Sequence, residues 1–297
     1  MRHNDMLEIF KLDLLINKIN WKSKQIYSKT RAFIGGGQYV YKLDENTKFL
    51  SLTEDEFSHV IYVCNGHEKI EMDWCCSWIN AESINQSIID CGANIGYFSA
   101  FISQRCLPVQ ILAVEGNMRT ASLCKHNLNI LKIQNVLVVH RILSENSSEH
   151  YNIPDNLGRE PWQQAVKVSS ESCTSYTTTL DNLVSEFKLT PSLVKIDCEG
   201  FEPLILKGAN NLLNKIRPAF MIECNDNALH SAATNRYELF SLLRSYNYKL
   251  FHLASFTGYQ AFGIEVDENF TSTEFNFAAI PNDESNLKRW NKSIQLL

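Results

Sequence analysis

Five acidic residues stand at or just after the ends of apolar, strand-like runs in this chain. They are Asp90, Glu115, Asp197, Glu199 and Glu223. Carboxylates at such positions can bind hydroxyl or ammonium groups, and they can remove a proton as general bases. In a doubly wound α/β sheet the carboxyl ends of the strands meet at the ligand crevice. We therefore expect these five side chains to gather at one site.

The first acid leads into a glycine-containing turn. Asp90 is followed by Gly92, Asn94 and Gly96, and the segment after them has the pattern of a helix. Gly92 permits a tight turn, and helix N-terminal amides near Asn94 and Gly96 can receive a carboxylate. Asp90 can then accept a hydrogen bond from an ammonium group. A ligand with both groups is the amino-acid end of S-adenosylmethionine, although a turn without a ligand stays open as an alternative.

The second acid, Glu115, follows the next predicted strand. An acid at this position in doubly wound folds accepts both hydroxyls of a ribose. Asn117 and, after the third strand, Ser144 are further candidates for contact with the nucleoside. Ribose binding also suits a nicotinamide cofactor, so an NAD(P)-dependent oxidoreductase is an alternative. The G-x-x-x-G spacing and the acid beside the turn disfavour it, because a pyrophosphate would be repelled there.

The elements that must position these residues alternate along the chain. A parallel sheet covered by helices on both faces is the fold that such alternation predicts. The last two strands are too close in sequence for a helical crossover, so we expect them to be antiparallel. The predicted strands are 87–91, 110–114, 135–143, 193–198, 219–224, 249–256 and 275–281, and the predicted helices are 95–105, 117–131 and 235–246.

This pattern predicts an α/β, doubly wound, Rossmann-like sheet of the class I methyltransferase type, with an antiparallel terminal strand and an N-terminal extension. Residues 1–82 do not follow the alternation, and we expect them to form an extension packed on the core. Residues 83–297 then form the methyltransferase domain. The long polar segment 145–178 is predicted to be irregular and to close over the acceptor.

A third acidic segment surrounds Lys195. The two-residue period of a strand puts Lys195, Asp197 and Glu199 on one side, and Glu202 then lies in the first turn of a helix. Buried charges of this kind are costly unless they are paired. An ion pair between Lys195 and Asp197 that only fixes the strand end is therefore the structural alternative to a catalytic role.

Taken together, the motifs resemble the FkbM family of methyltransferases. The matching segments occur in family order and span about residues 60–281, but Gly116 stands where the family usually has Pro, and Phe201 where it has a small residue. The segments are Ile89-Asp90-Cys91-Gly92-Ala93-Asn94-Ile95-Gly96, Glu115-Gly116-Asn117, Thr179-Leu180-Asp181-Asn182-Leu183, Lys195-Ile196-Asp197-Cys198-Glu199-Gly200-Phe201-Glu202, Leu206-Lys207-Gly208-Ala209 and Arg217-Pro218-Ala219-Phe220-Met221-Ile222-Glu223.

The resemblance implies a function as well as a fold. It implies S-adenosylmethionine as the cofactor and transfer of its methyl group to an oxygen of a sugar, a glycolipid or a polyketide-like natural product. The cofactor would be held by Asp90, Gly92, Asn94, Gly96, Glu115, Asn117, Ser144 and Asp197. Asp197, Glu199 and Glu223 are the candidate catalytic residues. A non-catalytic scaffold that keeps the cofactor pocket is the alternative from another class.

The bulk properties exclude some other partners. The net charge of −5 and the scattered basic residues give no attraction to nucleic acid. No apolar run approaches the roughly 20 residues that span a bilayer. The nine cysteines lack a CxxC pair, so we expect reduced thiols and a cytoplasmic location. The acids lack the spacing of a metal site, we expect a small-molecule or glycan acceptor, and the oligomeric state is left open.

Overall fold

The computed structural model describes residues 21–26, 38–42, 48–52, 56–64, 66–81, 86–106, 109–153, 164–169, 175–253 and 262–295. The chain divides into two compact units. The first comprises residues 1–67 with 156–161, and the second comprises residues 68–155 with 162–297. The predicted boundary near residue 83 stays a prediction. No described helix is long and apolar enough to cross a membrane.

The first unit contains a short helix at 21–26, an antiparallel hairpin and a further helix. The hairpin strands are β1 (Gln38–Lys42) and β2 (Lys48–Leu52), and the helix is α1 (Glu56–Cys64). Lys24 Nζ donates a hydrogen bond to the carbonyl of Tyr62 over 3.4 Å. This contact joins the short helix to α1 within the unit.

Seven strands of the second unit form the central sheet of the described chain. Their order is β12-β13-β11-β10-β3-β4-β5, and all except β13 run parallel to one another. The strands are β3 (Ser87–Cys91), β4 (Gln110–Glu115), β5 (Val136–His140), β10 (Pro191–Ile196), β11 (Ala219–Asn225), β12 (Tyr248–Leu253) and β13 (Glu274–Pro281).

The terminal strand gives the sheet its mixed character. β13 lies between β11 and β12 and runs antiparallel to both. The predicted doubly wound sheet with an antiparallel terminal strand is therefore confirmed. Because β13 is inserted one place in from the edge, it brings its own side chains next to those of β11.

Helices cover both faces of this sheet. They are α2 (Lys69–Asn80), α3 (Tyr97–Arg105), α4 (Met118–Ile130), α5 (Leu180–Glu186), α6 (Glu202–Lys207), α7 (Asp226–Ser231), α8 (Arg236–Ser245) and α9 (Glu284–Gln295), and a π-helical turn spans Leu212–Ile216.

One face of the sheet packs on an apolar core. Val194, Phe220 and Ile222 of the strands are fully buried there with residues of α5, α6 and α8. Burial of this kind contributes about 25 cal/mol per Å² of apolar surface. Each of these strands therefore presents alternate residues to the core and leaves the others for the opposite face.

The opposite face is covered by α2 and α9, and polar contacts fasten these helices. Trp74 Nε1 donates to Ser293 Oγ over 3.1 Å, and the guanidinium of Arg289 donates twice to the carbonyl of Trp78. The rings of Trp74 and Trp290 also meet edge to face at 5.6 Å. These contacts hold α2 firmly over the sheet.

Two local predictions were wrong. The single strand predicted at 135–143 is interrupted at Arg141, whose amide donates to the carbonyl of Glu115. After it, β6 (Ile142–Leu143) pairs with β9 (Ser175–Thr178) in a separate sheet of order β6-β9-β7-β8, which includes β7 (His150–Asn152) and β8 (Val166–Lys167). The segment 145–178 is thus not wholly irregular. Residues 154–163 and 170–174 of it lie outside the described part.

The turn after β3 depends on a glycine at position 92. Gly92 has φ +78°, and a β-carbon there would overlap the backbone carbonyl of Asp197. Gly263 has nearly the same φ of +79°, with nothing within 4 Å of an added β-carbon in the described structure. An alanine at position 263 would therefore suffer backbone strain alone, whereas an alanine at position 92 would suffer the same strain together with steric overlap.

We expect Gly92→Ala to destabilise the protein far more than Gly263→Ala does. A left-handed alanine costs about 1–2 kcal/mol at either position. Overlap with a backbone that cannot yield adds about 2 kcal/mol or more at Gly92. Urea unfolding of the two variants measures the difference, and equal losses of stability would show that β3 and β10 do not meet as described.

Candidate active site

The carboxyl ends of three strands are tied together at the glycine turn. The amides of Gly92 and Ala93 both donate to the carbonyl of Val114, at the end of β4. The amide of Asp197 donates to the carbonyl of Cys91 over 3.1 Å, at the end of β3. Asp197 is therefore fixed directly against the turn that the sequence assigns to cofactor binding.

Asp90 lies beneath the turn and is fully buried. One carboxylate oxygen accepts a hydrogen bond from Ser99 Oγ at 2.6 Å. The other, Oδ1, has no hydrogen-bond partner among the described residues and lies 4.0 Å from Lys195 Nζ. Burial raises the pKa of Asp90, and the charge of Lys195 opposes that rise. Asp90 thus keeps one acceptor oxygen unused in a buried position.

Glu115 binds the protein's own backbone. Its Oε2 accepts from the amide of Asn94 at 2.8 Å, and its Oε1 accepts from the amide of Asn117, also at 2.8 Å. Burial raises the pKa of Glu115, and these two hydrogen bonds oppose the rise. The carboxylate is half-buried, so it joins the turn after β3 to the start of α4.

The amides predicted to receive a ligand carboxylate are engaged within the protein. Asn94 donates to Glu115, and the amide of Gly96 donates to the carbonyl of Ala93. These two amides are thus engaged by the turn itself and by a neighbouring carboxylate, and the expectation that amides near Asn94 to Gly96 receive a ligand carboxylate stays a prediction. A role of Asn94 or Gly96 in cofactor binding through other atoms stays a prediction.

The other residues predicted to bind the cofactor have clear structural partners. A β-carbon on Gly96 would lie 2.7 Å from Cys124 Sγ, so this glycine permits α3 to pack on α4. The side chain of Asn117 caps α4 by accepting from the amide of Thr120. Ser144 is buried, and its amide donates to Thr178. They surround the same edge of the sheet, at the ends of β3, β4 and β6.

Lys195 forms the predicted ion pair with Asp197. Its Nζ lies 2.8 Å from Asp197 Oδ2, and its side chain is almost fully buried whereas that of Asp197 is 32% exposed. Burial acts to lower the pKa of Lys195, but the charges of Asp197, Asp90 and Glu68 outweigh it and raise the pKa above its usual value. Lys195 is therefore a cation held between carboxylates.

Glu199 lies beyond the end of β10, so the predicted strand alternation does not reach it. The strand ends at Ile196, and Glu199 has a left-handed φ of 53°. Gln164 Nε2 holds this loop by donating to the carbonyl of Glu199 at 2.6 Å and to that of Ala228 at 2.9 Å. The half-buried side chain of Glu199 is thus set by a turn and not by the pleat of a strand.

Glu202 supports this loop from within. It is buried, and its Oε1 accepts from the amides of Cys198 at 2.8 Å and Gly200 at 3.3 Å. Burial raises the pKa of Glu202 to about 7, although these backbone hydrogen bonds oppose the rise. The structure gives Glu202 a local structural function at the start of α6, as the sequence suggested.

Glu199 and Glu223 have carboxyl groups that hold their protons unusually tightly. Burial, followed by the charge of Asp197, raises the pKa of Glu199 to about 8. The same two causes raise the pKa of Glu223 far above its usual value. Both side chains are half-buried at the ends of β10 and β11. The predicted gathering of acids at one sheet edge is what the structure contains.

Glu68 belongs to the same group, although no pattern in the sequence predicted it. It lies immediately before α2, and its Oε1 accepts from Asn276 Nδ2 at 2.7 Å. Burial and the charge of Asp197 raise the pKa of Glu68 to about 7, while Lys195 acts to lower it. Only an acid ahead of an apolar helix was visible in the sequence, and such acids are common on helix termini.

The described residues contain no candidate metal site and no disulfide bond. No group of three or more His, Cys, Asp or Glu side chains there is arranged to hold a metal ion. The eight described cysteines are free thiols, five of them buried, and Cys173 lies outside the described residues. His140 Nε2 lies 2.8 Å from both the carbonyl of Gly116 and Ser175 Oγ, so it has a structural setting.

Comparison with known proteins gives one family match. The model of the methyltransferase FkbM domain matches residues 90–250, which is more than half of the 297-residue chain. Comparison with curated protein sequences gives no significant match.

Several solved structures are similar in fold. Precorrin-6y C5,15-methyltransferase from Geobacter metallireducens has a TM-score of 0.41 and 13% identity, with 71% of this chain and 88% of that chain covered. Methyltransferase FkbM from Methylobacillus flagellatus has a TM-score of 0.40 and 13% identity, with 66% and 43% covered, so the chain spans less than half of that relative. TYW2 of M. jannaschii, in complex with S-adenosylmethionine, has a TM-score of 0.39 and 12% identity, with 82% and 84% covered.

The structural function of Glu202 can be tested by truncation. We expect Glu202→Ala to destabilise the protein by about 2–6 kcal/mol, because the amides of Cys198 and Gly200 lose their acceptor at about 1–3 kcal/mol each. Glu202→Gln keeps an acceptor oxygen and should cost much less. Chemical denaturation of both variants measures this, and similar losses for alanine and glutamine would contradict the proposed hydrogen bonds.

The raised pKa values also predict how stability depends on pH. The folded state binds protons more tightly than the unfolded chain at Glu68, Glu199, Glu202 and Glu223. For Glu68, Glu199 and Glu202 the stabilising contribution is complete below the unfolded pKa near 4.5 and is lost as pH rises through about 7 to 8. The contribution of Glu223 falls through the same window and continues to fall above it, because burial raises the pKa of Glu223 to about 11. Tm should therefore fall across this window, at about 2–4 °C for each kcal/mol lost.

A glutamine substitution identifies the source of that fall in Tm. Glu223→Gln removes a titrating group and should flatten the dependence of Tm on pH. Glu186→Gln is the matched control, because Glu186 is exposed on α5 and has no part in the group. A pH profile of Glu223→Gln that matches the wild type would contradict the assignment.

Proposed function

Because the chain belongs to the FkbM methyltransferase family, we propose that it transfers a methyl group to a hydroxyl oxygen of a sugar, a glycolipid or another natural product. S-adenosylmethionine is the cofactor of this family, and when bound it supplies a methyl group on an electrophilic sulfonium. The single observation that supports the hydroxyl acceptor is the group of carboxylates beside the glycine turn. An alcohol must lose its proton on methylation, and a carboxylate can accept it.

The residues at the ends of β3 and β4 suit the amino-acid part and the ribose of the cofactor. Asp90 has a buried acceptor oxygen without a hydrogen-bond partner, and an ammonium group is a suitable donor for it. Each carboxylate oxygen of Glu115 accepts one amide and keeps a second lone pair for a ribose hydroxyl. Glu115 can thus bind ribose while it continues to hold the two loops.

The remaining predicted contacts lie around the same turn. Gly92 allows the close approach of the strand ends. Asn94 and Gly96 follow it in the same turn, and Asn117 lies at the start of α4. Ser144 lies at the end of β6, on the side where we propose the adenine. Asp197 is next to the turn and so borders both the cofactor and the acceptor.

Glu199 is the best candidate for the general base. Its pKa of about 8 means that it binds a proton readily and still ionises near neutral pH, which is the range that suits a general base. Asp197 is already paired with Lys195 at 2.8 Å. The pKa of Glu223 is raised far above the usual range, so this side chain serves better as a hydrogen-bond donor to the acceptor. On the acceptor side we therefore propose Glu199 as the general base, Glu223 as a hydrogen-bond donor, and Asp197 as a carboxylate that stays paired with Lys195.

This assignment predicts the pH dependence of turnover. A base must be ionised to act, so kcat/KM should rise with pH and level off above about 8. Glu199→Gln should lower kcat by about 10²–10⁴-fold, the usual contribution of a general base, and should weaken S-adenosylmethionine binding by a much smaller factor. Glu186→Gln serves as the control for an exposed carboxylate. The assay follows labelled methyl transfer to a panel of monosaccharides, glycolipids and hydroxylated aglycones.

Each failure of this experiment has a distinct meaning. Label found on nitrogen or carbon would contradict the oxygen acceptor while leaving the family assignment intact. A Glu199→Gln variant as active as the wild type would remove Glu199 from the mechanism. Binding of S-adenosylmethionine with no turnover on any acceptor would favour a non-catalytic scaffold.

A further inference from the structure

Glu68 is held at the end of β11 by a residue from the far end of the chain. Asn276 on β13 pairs in register with Glu223 on β11. Its side chain is buried, and Nδ2 donates to Glu68 Oε1 at 2.7 Å. Glu68 is therefore placed next to Glu223, although 208 residues separate it from Asn276.

These residues share one face of the sheet. Asp90 pairs with Lys195 across β3 and β10, and Lys195 pairs with Met221 across β10 and β11. Glu223 lies two residues beyond Met221 and so points to the same side. Cys75 Sγ contacts Met221 Sδ at 3.6 Å, which identifies this side as the one that α2 covers. Polar side chains at the ends of these strands thus lie on the side of the sheet that α2 covers.

The charges of these side chains act on one another. The charge of Glu68 acts on the pKa of Glu223 and of Lys195, and the charge of Asp197 acts on the pKa of Glu68. Lys195 is the cation that opposes these carboxylates. We name the set of Glu68, Asp197, Glu199 and Glu223 the carboxylate group.

A second observation points to a ligand at this place. Asp90 is fully buried, and its Oδ1 has no hydrogen-bond partner among the described residues. That oxygen lies 4.0 Å from Lys195 Nζ. A buried oxygen that lacks a donor is costly, and a ligand with a hydrogen-bond donor would remove that cost.

Two of the residues in this arrangement lie outside the matched family segment. The match covers residues 90–250, whereas Glu68 and Asn276 come before and after it. Glu68, held by Asn276, therefore adds a carboxylate to the site from a part of the chain that the family match does not include.

We propose that Glu68 is a binding residue of this site, and that the carboxylate group makes the site select ligands with a positive charge at the position of methyl transfer. S-adenosylmethionine and sinefungin carry such a charge, and the demethylated product, S-adenosylhomocysteine, does not. The site should thus bind both cationic ligands more tightly than the neutral product. The inference rests on the proposed cofactor site and deepens it.

The physical reason is Coulomb attraction in a half-buried site. Charges near a protein surface interact several times more strongly than in bulk water. The donor and its product have the same adenosine and amino-acid parts, so contacts with Asp90 and Glu115 cancel in the ratio of their affinities. The ratio of affinities therefore reports only the methyl group and its positive charge, which the carboxylate group attracts.

Calorimetric titration with three defined probes tests this. S-adenosylmethionine, sinefungin and S-adenosylhomocysteine are titrated at about pH 8, where a group of pKa about 7 such as Glu68 is ionised. Wild-type protein should bind both cationic probes more tightly than the neutral one. Glu68→Gln, which keeps an acceptor for Asn276, should reduce that preference about threefold or more. Its affinity for S-adenosylhomocysteine should change little.

The control removes one negative charge from α2, the helix that follows Glu68. Asp73 pairs with Arg105 at 2.6 Å and does not belong to the carboxylate group, so Asp73→Asn should keep the wild-type preference. Asn276→Ala is a second route to the same result, because the hydrogen bond from Asn276 lowers the pKa of Glu68, so its loss favours the protonated, neutral carboxyl group and should lower the preference in the same direction. Thermal melts establish that each variant is folded.

The outcomes separate this inference from the proposed function. An unchanged preference in Glu68→Gln and Asn276→Ala, with all three probes bound, overturns the role of Glu68 and leaves the cofactor site standing. A wild-type protein that binds S-adenosylhomocysteine more tightly than both cationic probes overturns the charge selectivity. Absence of binding by all three probes overturns the proposed function, and this inference with it.

Discussion

The site depends on Lys195, a buried cation placed between carboxylates from neighbouring strands. Its ammonium lies 2.8 Å from Asp197 and 4.0 Å from Asp90. Two anions at this depth would otherwise repel one another in a region with little water, which is costly without a compensating charge. Lys195 allows the ends of β3 and β10 to carry acids side by side. The rest of the site is arranged around that pairing.

The backbone around Asp197 also has to allow this acid to lie beside the end of β3. Asp197 can stand at the glycine turn after β3 only because Gly92 has no β-carbon to collide with its carbonyl. The chain then leaves β10 through left-handed conformations at Glu199 and Gly200, and buried Glu202 binds the loop amides that this turn exposes. Strain at such positions is expected at functional sites, where the surrounding structure compensates for it. The position of Glu199 therefore rests on Glu202 and Gln164 as much as on the strand.

The sequence predicted the parts of this site that depend on local pattern. Asp90, Glu115 and Asp197 were identified because each ends a strand-like run, and the mostly parallel sheet with an antiparallel terminal strand followed from alternation. The engagement of Glu115 with the amides of Asn94 and Asn117 depends on the exact path of two loops, which no periodicity contains. The break at Arg141 was missed for a related reason, since an apolar run does not reveal that it changes sheets. Glu68 needs the complete fold, because its partner Asn276 lies at the opposite end of the chain.

Function and stability oppose each other at the carboxylate group. Burial and mutual repulsion raise the pKa values of Glu68, Glu199 and Glu223, so each holds a proton at a pH where an exposed carboxyl would be ionised. A core built for stability alone would replace them with neutral residues. Their cost is reasonable only if a ligand offsets it, and a cationic ligand is the kind that does so. The arrangement of charges is thus an argument for the chemistry of the ligand that is independent of the family to which the chain belongs.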